Sequence, residues 1–140
     1  MKIVINRCYG GFGLSPKATT RYYELKGIKA YHFTEDYSKG YSYDNKTYIP
    51  LPEGHTSFFT VSIPNPNDFD SKELWKKYYL SNRPDERTDP LLIQAIEEIG
   101  EKESSGSCAQ LEIIEIPDGI DWEIDEYDGI ETVHENHRSW

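Results

Sequence analysis

The chain has 140 residues, of which 36% are hydrophobic, and it carries a formal net charge of −10. A chain of this length can bury about two thirds of its unfolded surface, so we expect residues 1–140 to fold as one domain without a metal or a disulfide. No apolar run approaches the length of a membrane span and no secretory signal is visible, which predicts a cytoplasmic protein that does not enter a membrane. A basic stripe is missing as well, which excludes duplex nucleic acid as a partner.

The first stretch, KIVINRCYGGFGLSPKAT, predicts a buried strand, a glycine loop and the start of a helix. The continuous β-branched run within Lys2–Asn6 is typical of a strand that is buried on both faces. Ser15 can cap a helix over Pro16–Lys26, and Gly27 can end that helix in the left-handed region.

The glycine loop predicts a binding site for phosphate or carboxylate. A loop of this kind directs backbone N–H groups and the positive end of the helix dipole at one point, and Lys17 adds a cation. The spacing matches neither nucleotide-binding fingerprint, and the alternative is a tight turn whose Phe12 and Leu14 enter the core. The predicted ligand-binding residues are Arg7, Tyr9, Gly10, Gly11, Phe12, Gly13, Ser15, Arg21, His137, Arg138 and Trp140.

The two cysteines, Cys8 and Cys108, are predicted to be free thiols. A free cysteine is more often a small buried hydrophobe than a nucleophile, and neither cysteine has a histidine beside it in the sequence. A bridge between the two is conceivable but nothing in the sequence indicates it.

The middle of the chain predicts three further extended segments. Ile28–Phe33 follows the first helix, and a strand, a helix and a strand in succession predict a parallel βαβ unit with a right-handed crossover. Tyr41–Ile49 predicts a hairpin whose tyrosines either stack on a base or serve as edge-strand side chains. Thr56–Ile63 predicts a core strand. The polar loop after it carries Arg83 and Arg87, which either contact a phosphate or are simply solvated.

The last part of the chain predicts a second helix over Leu91–Gly100 and a hairpin. In the hairpin, Gln110–Ile116 pairs with Ile120–Asp128 around a Pro-Asp-Gly turn. Together these elements predict an α+β fold: one mixed sheet of five to six strands, a βαβ start, two helices mainly on one face, and a C-terminal antiparallel hairpin.

Residues 109–140 contain ten carboxylates and one arginine, a net charge of −9. This acidic third fits solubility, a basic protein partner, or imitation of nucleic acid. Two histidines three apart, His134 and His137, lack a third metal ligand of suitable spacing. With Glu131 and Glu135 they form an acid–base set that can also arise by chance. The C-terminal His137, Arg138 and Trp140 are predicted to fold back onto the glycine loop, although Arg138 can equally neutralise carboxylates.

Three segments of the chain resemble a family of small uncharacterised proteins encoded by bacteriophages and by bacteria that carry prophages. These segments are KIVINRCYGGFGLS, LEIIEIPDGIDWEIDEYDGIE and the terminal HRSW. The resemblance implies a phage origin and an accessory role inside the infected cell. Phage proteins of this size often counter host defence, either by sequestering a nucleotide immune signal or by imitating nucleic acid.

We therefore expect a non-catalytic protein that binds and sequesters a nucleotide-like anion, with no cofactor and no bound metal, and that forms at least a dimer. Two alternatives remain. In the first, the acidic third blocks a basic host protein, and in the second the C-terminal histidines hydrolyse or transfer a nucleotide.

Overall fold

The computed structural model describes residues 1–36, 47–53 and 58–135. Its strands are β1 (Lys2–Asn6), β2 (Tyr31–Glu35), β3 (Tyr48–Pro50), β4 (Phe59–Val61), β5 (Leu111–Glu115), β6 (Trp122–Tyr127) and β7 (Ile130–Glu135). Its α-helices are α1 (Pro16–Leu25), α2 (Ser71–Glu73), α3 (Pro90–Ile99) and α4 (Glu101–Ser104). A 3₁₀ turn covers Pro66–Asp68, and a π-helical turn, Leu74–Tyr78, continues α2. No helix in these ranges has the length and apolar character that crossing a membrane requires.

The predicted α+β class is confirmed, but the strands form three small antiparallel sheets instead of one mixed sheet. Their orders are β1-β5, β3-β2-β4 and β6-β7. β1 and β2 therefore lie in different sheets, and the predicted parallel βαβ unit is wrong. The second edge of β1 is already occupied, because Val4 N donates to Arg87 O at 3.1 Å and Asn6 N donates to Glu131 Oε1 at 2.8 Å. A parallel neighbour would need those same N–H groups.

The two long helices begin and end where their capping residues predict. Ser15 Oγ accepts from Ala18 N at 3.2 Å at the start of α1, and Gly27 follows its end with φ +80°. Asp89 Oδ1 accepts from Leu91 N at 3.0 Å at the start of α3, and Gly100 follows with φ +100°. These local signals depend on no distant contact, which is why the sequence predicted both helices.

The core has two parts. In the larger one, α1 and α3 pack on each other and on one face of β1 and β5, through Val4, Leu14, Ala18, Tyr22, Leu92, Ala95, Ile96 and Leu111. In the smaller one, the three-stranded sheet packs against the π-helical turn through Phe33, Tyr48, Val61 and Leu74. Ile3 and Ile5 are also fully buried, so β1 is covered on both faces as predicted.

The C-terminal hairpin exists, but its strands are not the predicted pair. β5 pairs with β1, with Ile3 opposite Ile114, whereas β6 pairs with β7 around Asp128 and Gly129. Those two turn residues have φ of 50° and 91°, which is typical of the type I′ turn that joins tightly paired strands. The Pro-Asp-Gly segment is therefore a connection between two sheets, and the predicted pairing of residues 110–116 with 120–128 is wrong.

The middle strands are shorter than predicted. The strand expected at Ile28–Phe33 lies at Tyr31–Glu35, and the one expected at Thr56–Ile63 covers Phe59–Val61. Residues 41–46 of the predicted tyrosine hairpin lie outside the described residues. Its described end, Tyr48–Pro50, pairs with β2.

Candidate functional site

The glycine loop, residues 10–13, packs closely against other parts of the chain. A Cβ on Gly10 would lie 2.7 Å from Cys108 Cβ, and a Cβ on Gly129 would lie 2.3 Å from Gly11 N. Gly10 N also donates to Asp128 O at 3.2 Å, so the β6–β7 turn rests directly on the loop. One reason for these glycines is therefore the close approach of two backbone segments.

Phe12 and Leu14 enter the core, as the tight-turn interpretation predicted. Phe12 is 5% exposed and Leu14 is fully buried. The guanidinium of Arg87 lies 3.6 Å from the centroid of the Phe12 ring. That position covers one face of the ring and leaves Phe12 unsuited to stack on a base from that side.

The start of α1 is covered by α4. Ser15 Oγ donates to Glu103 O at 2.7 Å, and Ser15 N donates to Ser104 O at 2.8 Å. Both polar groups of the N-cap therefore already have partners within the chain. The first turn of α1 offers less to an anion than the sequence pattern indicated.

Arg7 and Arg21, two predicted ligand-binding cations, are paired with carboxylates. Arg7 Nε lies 2.9 Å from Glu112 Oε2, and Arg21 Nε lies 2.6 Å from Glu98 Oε2. The hydrogen bonds from Arg21, with one from Gln94, lower the pKa of Glu98 to about 2. Neither arginine lines the cavity beside the glycine loop. Tyr9 does not line it either, although its side chain is exposed.

A cavity of about 480 Å³ lies beside the glycine loop, and we call it the glycine-loop cavity. Residues 10–14 line one part of it and residues 106–109 line another. Its remaining lining residues are Phe58, Tyr79, Asn82 and Arg83. Two long-range contacts assemble this wall, since Leu14 bridges to Ser105 and Leu14 N donates to Asn82 O at 2.9 Å. The structure thus joins the predicted glycines to an arginine from the polar loop.

Arg83 is the cation of this cavity. Its residue is exposed, and within residues 1–36, 47–53 and 58–135 its guanidinium makes neither an ion pair nor a side-chain hydrogen bond. Its backbone N donates to Ser81 Oγ at 3.0 Å, which fixes the chain just before it. Arg83 is therefore available to an anion in a way that Arg7 and Arg21 are not.

Aromatic side chains form another part of the cavity lining. Tyr79 is 41% exposed as a residue, and the centroid of its ring lies 4.8 Å from that of Trp75. Phe58 is half-buried and meets the His32 ring edge-on at 5.5 Å. Sequence reasoning considered Arg83 but missed Phe58, Tyr79, Asn82 and residues 106–109. No local pattern joins these segments, because only tertiary contacts bring them together.

The predicted acid–base set is not assembled among the residues described. Glu131 is 6% exposed and binds Arg87 through both oxygens, so its carboxylate is committed to an internal ion pair. His134 lies instead beside Asp125 Oδ2 at 2.6 Å and Glu123 Oε1 at 3.3 Å. Among the residues that the structure describes, these three form a group that could hold a metal ion, since each offers a ligand atom within 4.8 Å of the others. His137, Arg138 and Trp140 lie outside the described residues.

Both cysteines are free thiols, and they occupy different environments. Cys8 is half-buried, whereas Cys108 is exposed and lines the glycine-loop cavity. Cys108 Sγ accepts a hydrogen bond from Ser107 Oγ at 3.9 Å, and a serine hydroxyl that donates in this way is no base to activate the thiol.

A larger cavity of about 600 Å³ lies between the N-terminus and α3, lined by Met1, Lys2, Pro90 and Ile93 among others. Its one basic side chain, Lys2, is already paired with Glu97 at 3.0 Å. The free guanidinium of the glycine-loop cavity therefore makes that cavity a better candidate for an anionic ligand than the cavity between the N-terminus and α3. Comparisons of the chain with models of protein families, with curated proteins and with solved structures find no match.

Proposed function

We propose that this protein binds a nucleotide-like anionic small molecule in the glycine-loop cavity and holds it without breaking a bond. The observation that carries the proposal is Arg83, a guanidinium with no carboxylate partner in the described chain, at the wall of a concave site. The other arginines in the part of the chain that the structure describes, Arg7, Arg21 and Arg87, each have a carboxylate partner. An arginine left without one is ready to bind a phosphate by two parallel hydrogen bonds.

Backbone donors along the cavity add to this preference for an anion. The N–H groups of Gly13 and Ser107 make no hydrogen bond to any other described residue. The Ser107 hydroxyl lies on the same lining segment. Backbone N–H groups, a hydroxyl and an arginine in the lining of one cavity are the kinds of donor that phosphate-binding sites use.

The lining of the cavity favours binding over catalysis. The described residues that line it include no histidine, aspartate or glutamate. Hydrolysis or transfer of a phosphoryl group needs a positioned base or a metal held by carboxylates. The alternative of a nucleotide hydrolase that uses C-terminal histidines gains no support, because His134 faces Glu123 and Asp125 on the β6–β7 hairpin.

The resemblance to phage proteins suggests the infected cell as the place where this binding activity would be used. A tight, non-catalytic site for a nucleotide-like molecule would let a phage protein remove a host immune signal from the cytoplasm of the infected cell. Formation of at least a dimer is part of the same proposal, since small ligands are often enclosed between subunits.

Native mass spectrometry tests the proposal directly. The protein is measured alone and after incubation with extract from cells whose nucleotide-signalling defence has been triggered. We expect a discrete added mass that matches an intact nucleotide and leaves unchanged on heating, and the same spectra report the subunit count. No added mass, or release of a cleaved product, would contradict sequestration.

Arg83→Ala and Lys17→Ala form the matched pair for this test. Lys17 is an exposed cation in the first turn of α1, at the position where the sequence pattern placed the anion. Loss of the added mass in Arg83→Ala and its retention in Lys17→Ala would assign the ligand to the glycine-loop cavity. The reverse result would return it to the start of α1.

A second candidate function has an observation of its own. Along β6 and its turn, Glu123, Asp125, Glu126 and Asp128 are all exposed. Such a surface suits a basic host protein, and the complex would weaken steeply with added salt. Capture of a basic host protein at low salt by a protein that retains no small molecule would favour this alternative.

A further inference from the structure

We infer that the glycine-loop cavity recognises the base of its ligand as well as the phosphate, so that its ligands are nucleotides and not sugar phosphates or inorganic phosphate. This inference rests on the proposed function. Its evidence is the aromatic residues that line the cavity, whereas the evidence for an anionic ligand is Arg83.

Tyr79 is held in place by a row of packed rings. Its centroid lies 4.8 Å from that of Trp75, and the centroid of Trp75 lies 5.3 Å from that of Phe59. Phe59 in turn meets Tyr48, a buried side chain of the smaller core, at 4.6 Å. The row runs from the core to the cavity lining and fixes an exposed ring before any ligand arrives. Preorganisation of this kind lowers the entropy that binding would otherwise cost.

The position of Tyr79 in the cavity lining suits it to stack on a ligand, which a tyrosine on an open surface does less well. Tyr79 follows the π-helical turn, and its backbone forms a bridge with Val61 of β4. Its ring is exposed although it lines a cavity and borders an aromatic cluster that buries other rings. An aromatic face kept accessible inside a concave site can stack on a nucleobase.

Asn82 adds hydrogen-bonding groups to the lining of the same cavity. Its Nδ2 donates to Leu14 O at 3.5 Å, a long contact, and its Oδ1 has no partner among the described residues. A carboxamide has both a donor and an acceptor, which matches the edge of a base such as adenine. Tyr79, Asn82 and Arg83 thus bring a stacking face, a base-edge partner and a phosphate partner to one cavity within five residues of chain.

The volume of the cavity agrees with a ligand that has one base and one phosphate. Cavities that enclose small ligands measure about 300 to 1,000 Å³, and this one measures about 480 Å³. That space holds a small ligand with one ring system and is far too small for a polymer strand. We therefore assign the aromatic lining to the base and the Arg83 side of the cavity to the phosphate.

The test compares three probes: AMP, ribose 5-phosphate and inorganic phosphate. Affinities are measured by calorimetry or by ligand-observed NMR for the full chain and for Tyr79→Leu, Tyr79→Phe and Arg83→Gln. Tyr127→Leu is the control, because Tyr127 is 75% exposed on β6 and does not line the cavity. We expect Tyr79→Leu to weaken AMP binding about 10- to 100-fold and to leave the binding of ribose 5-phosphate unchanged.

The conservative variants separate stacking from folding. Tyr79→Phe keeps the ring and is expected to restore AMP binding, whereas Arg83→Gln should weaken AMP and ribose 5-phosphate alike. Protection of Cys108 from alkylation, measured in a Cys8→Ser background, reports occupancy of the cavity independently. We expect AMP to slow the alkylation of Cys108.

One outcome would overturn the inference about the base, and another would overturn the proposed function. If ribose 5-phosphate binds as tightly as AMP and Tyr79→Leu changes neither affinity, the base inference fails while the anion site stands. If no probe binds, or if Arg83→Gln changes no affinity and AMP leaves the alkylation rate of Cys108 unaltered, the proposed function itself fails.

Discussion

Glu131 is the carboxylate that closes the free edge of β1. It accepts from Asn6 N at 2.8 Å and binds both terminal nitrogens of Arg87. Asn6, fully buried, uses its own side chain to bind Cys8 O at 2.7 Å and Gly129 O at 2.6 Å. One buried network thus joins β1, the loop before α3 and the β6–β7 hairpin, and so fixes the turn that rests on the glycine loop.

Replacing Glu131 by alanine should destabilise the fold strongly. The variant would leave the guanidinium of Arg87 largely buried without its partner, and losing one member of a buried ion pair costs about 3 to 5 kcal/mol. Glu112→Ala is the matched control, because its ion pair with Arg7 is exposed and worth less than about 1 kcal/mol. Urea denaturation of both variants gives the comparison. Equal losses of unfolding free energy would mean that the buried network contributes no more than a surface pair.

The glycines show how far a single residue can be interpreted from sequence. Gly10, Gly11 and Gly13 correctly indicated a loop where the backbone takes unusual conformations or approaches another group. For Gly10 the approaching group belongs to this chain, because a Cβ there would lie 2.7 Å from Cys108 Cβ, more than 90 residues away, whereas a Cβ on Gly11 would meet no atom within 4 Å. Nothing local distinguishes a glycine that admits a ligand from one that admits a distant backbone segment.

At the scale of elements, His32 joins α1 to the three-stranded sheet. Its Nε2 lies 2.5 Å from Thr20 Oγ1 on α1, and its Nδ1 lies 2.8 Å from Thr60 Oγ1 on β4. Burial lowers the pKa of His32, because the charged imidazolium loses its hydration there. The lowered pKa favours the neutral ring in the folded protein.

Stability should fall as the pH drops below about 6.5, the ordinary value for histidine. Below that pH the unfolded chain takes up a proton at His32 that the folded chain does not accept, until the pH reaches the lowered folded pKa. The loss is at most about 1.4 kcal/mol for each pH unit. Urea denaturation at pH 7.5 and 5.5, for the natural chain and for His32→Gln, measures it. A drop of the same size in His32→Gln would assign the pH dependence to other groups.

The elements that the sequence predicted well carry their own boundary signals. The start of α1 at Ser15 and Pro16, the start of α3 at Asp89 and Pro90, and the β-branched run of β1 all depend on neighbours in the chain. Strand pairing does not depend on neighbours alone, and the hairpin prediction considered only the Pro-Asp-Gly turn. It overlooked the Asp128-Gly129 dipeptide, which forms a two-residue loop with two positive φ values, a geometry that suits paired strands.

The candidate site could likewise be predicted only where local sequence patterns define it. The glycine loop was predicted from its own sequence, and Arg83 was noted as a possible phosphate contact. The aromatic lining and residues 106–109 join the loop only through the Leu14–Ser105 bridge and the hydrogen bond to Asn82 O. Pairing of Arg7 with Glu112 and of Arg21 with Glu98 was also beyond the sequence, since these partners lie 105 and 77 residues away. The second partner of Arg21, Glu24, lies only three residues along the same helix and is local information that the site prediction did not use.

At the scale of the whole molecule, charge acts on the fold as well as on partners. The sequence has 25 carboxylates and 15 lysines and arginines. Some of the bases are used in exposed pairs, such as Lys2 with Glu97 and Arg7 with Glu112. The excess of carboxylates concentrates on the β6–β7 hairpin and its connection, where like charges repel across a small area. The folded state therefore contains more repulsion than an average domain of this size.

Added salt should accordingly raise the melting temperature by a few degrees between about 20 and 200 mM NaCl, because the range of electrostatic repulsion shortens as salt is added, from about 30 Å at 0.01 M to about 10 Å at 0.1 M. The double variant Asp121→Asn, Asp128→Asn should melt higher at low salt and gain less from salt, since asparagine also tolerates the positive φ of Asp128. Glu97→Gln is the control, because it removes an attraction to Lys2 and should gain at least as much from salt as the natural chain. A melting temperature that falls with salt would show that attraction in the ion pairs outweighs repulsion on the hairpin. The carboxylates of residues 109–140 would then not lower the stability of the folded state.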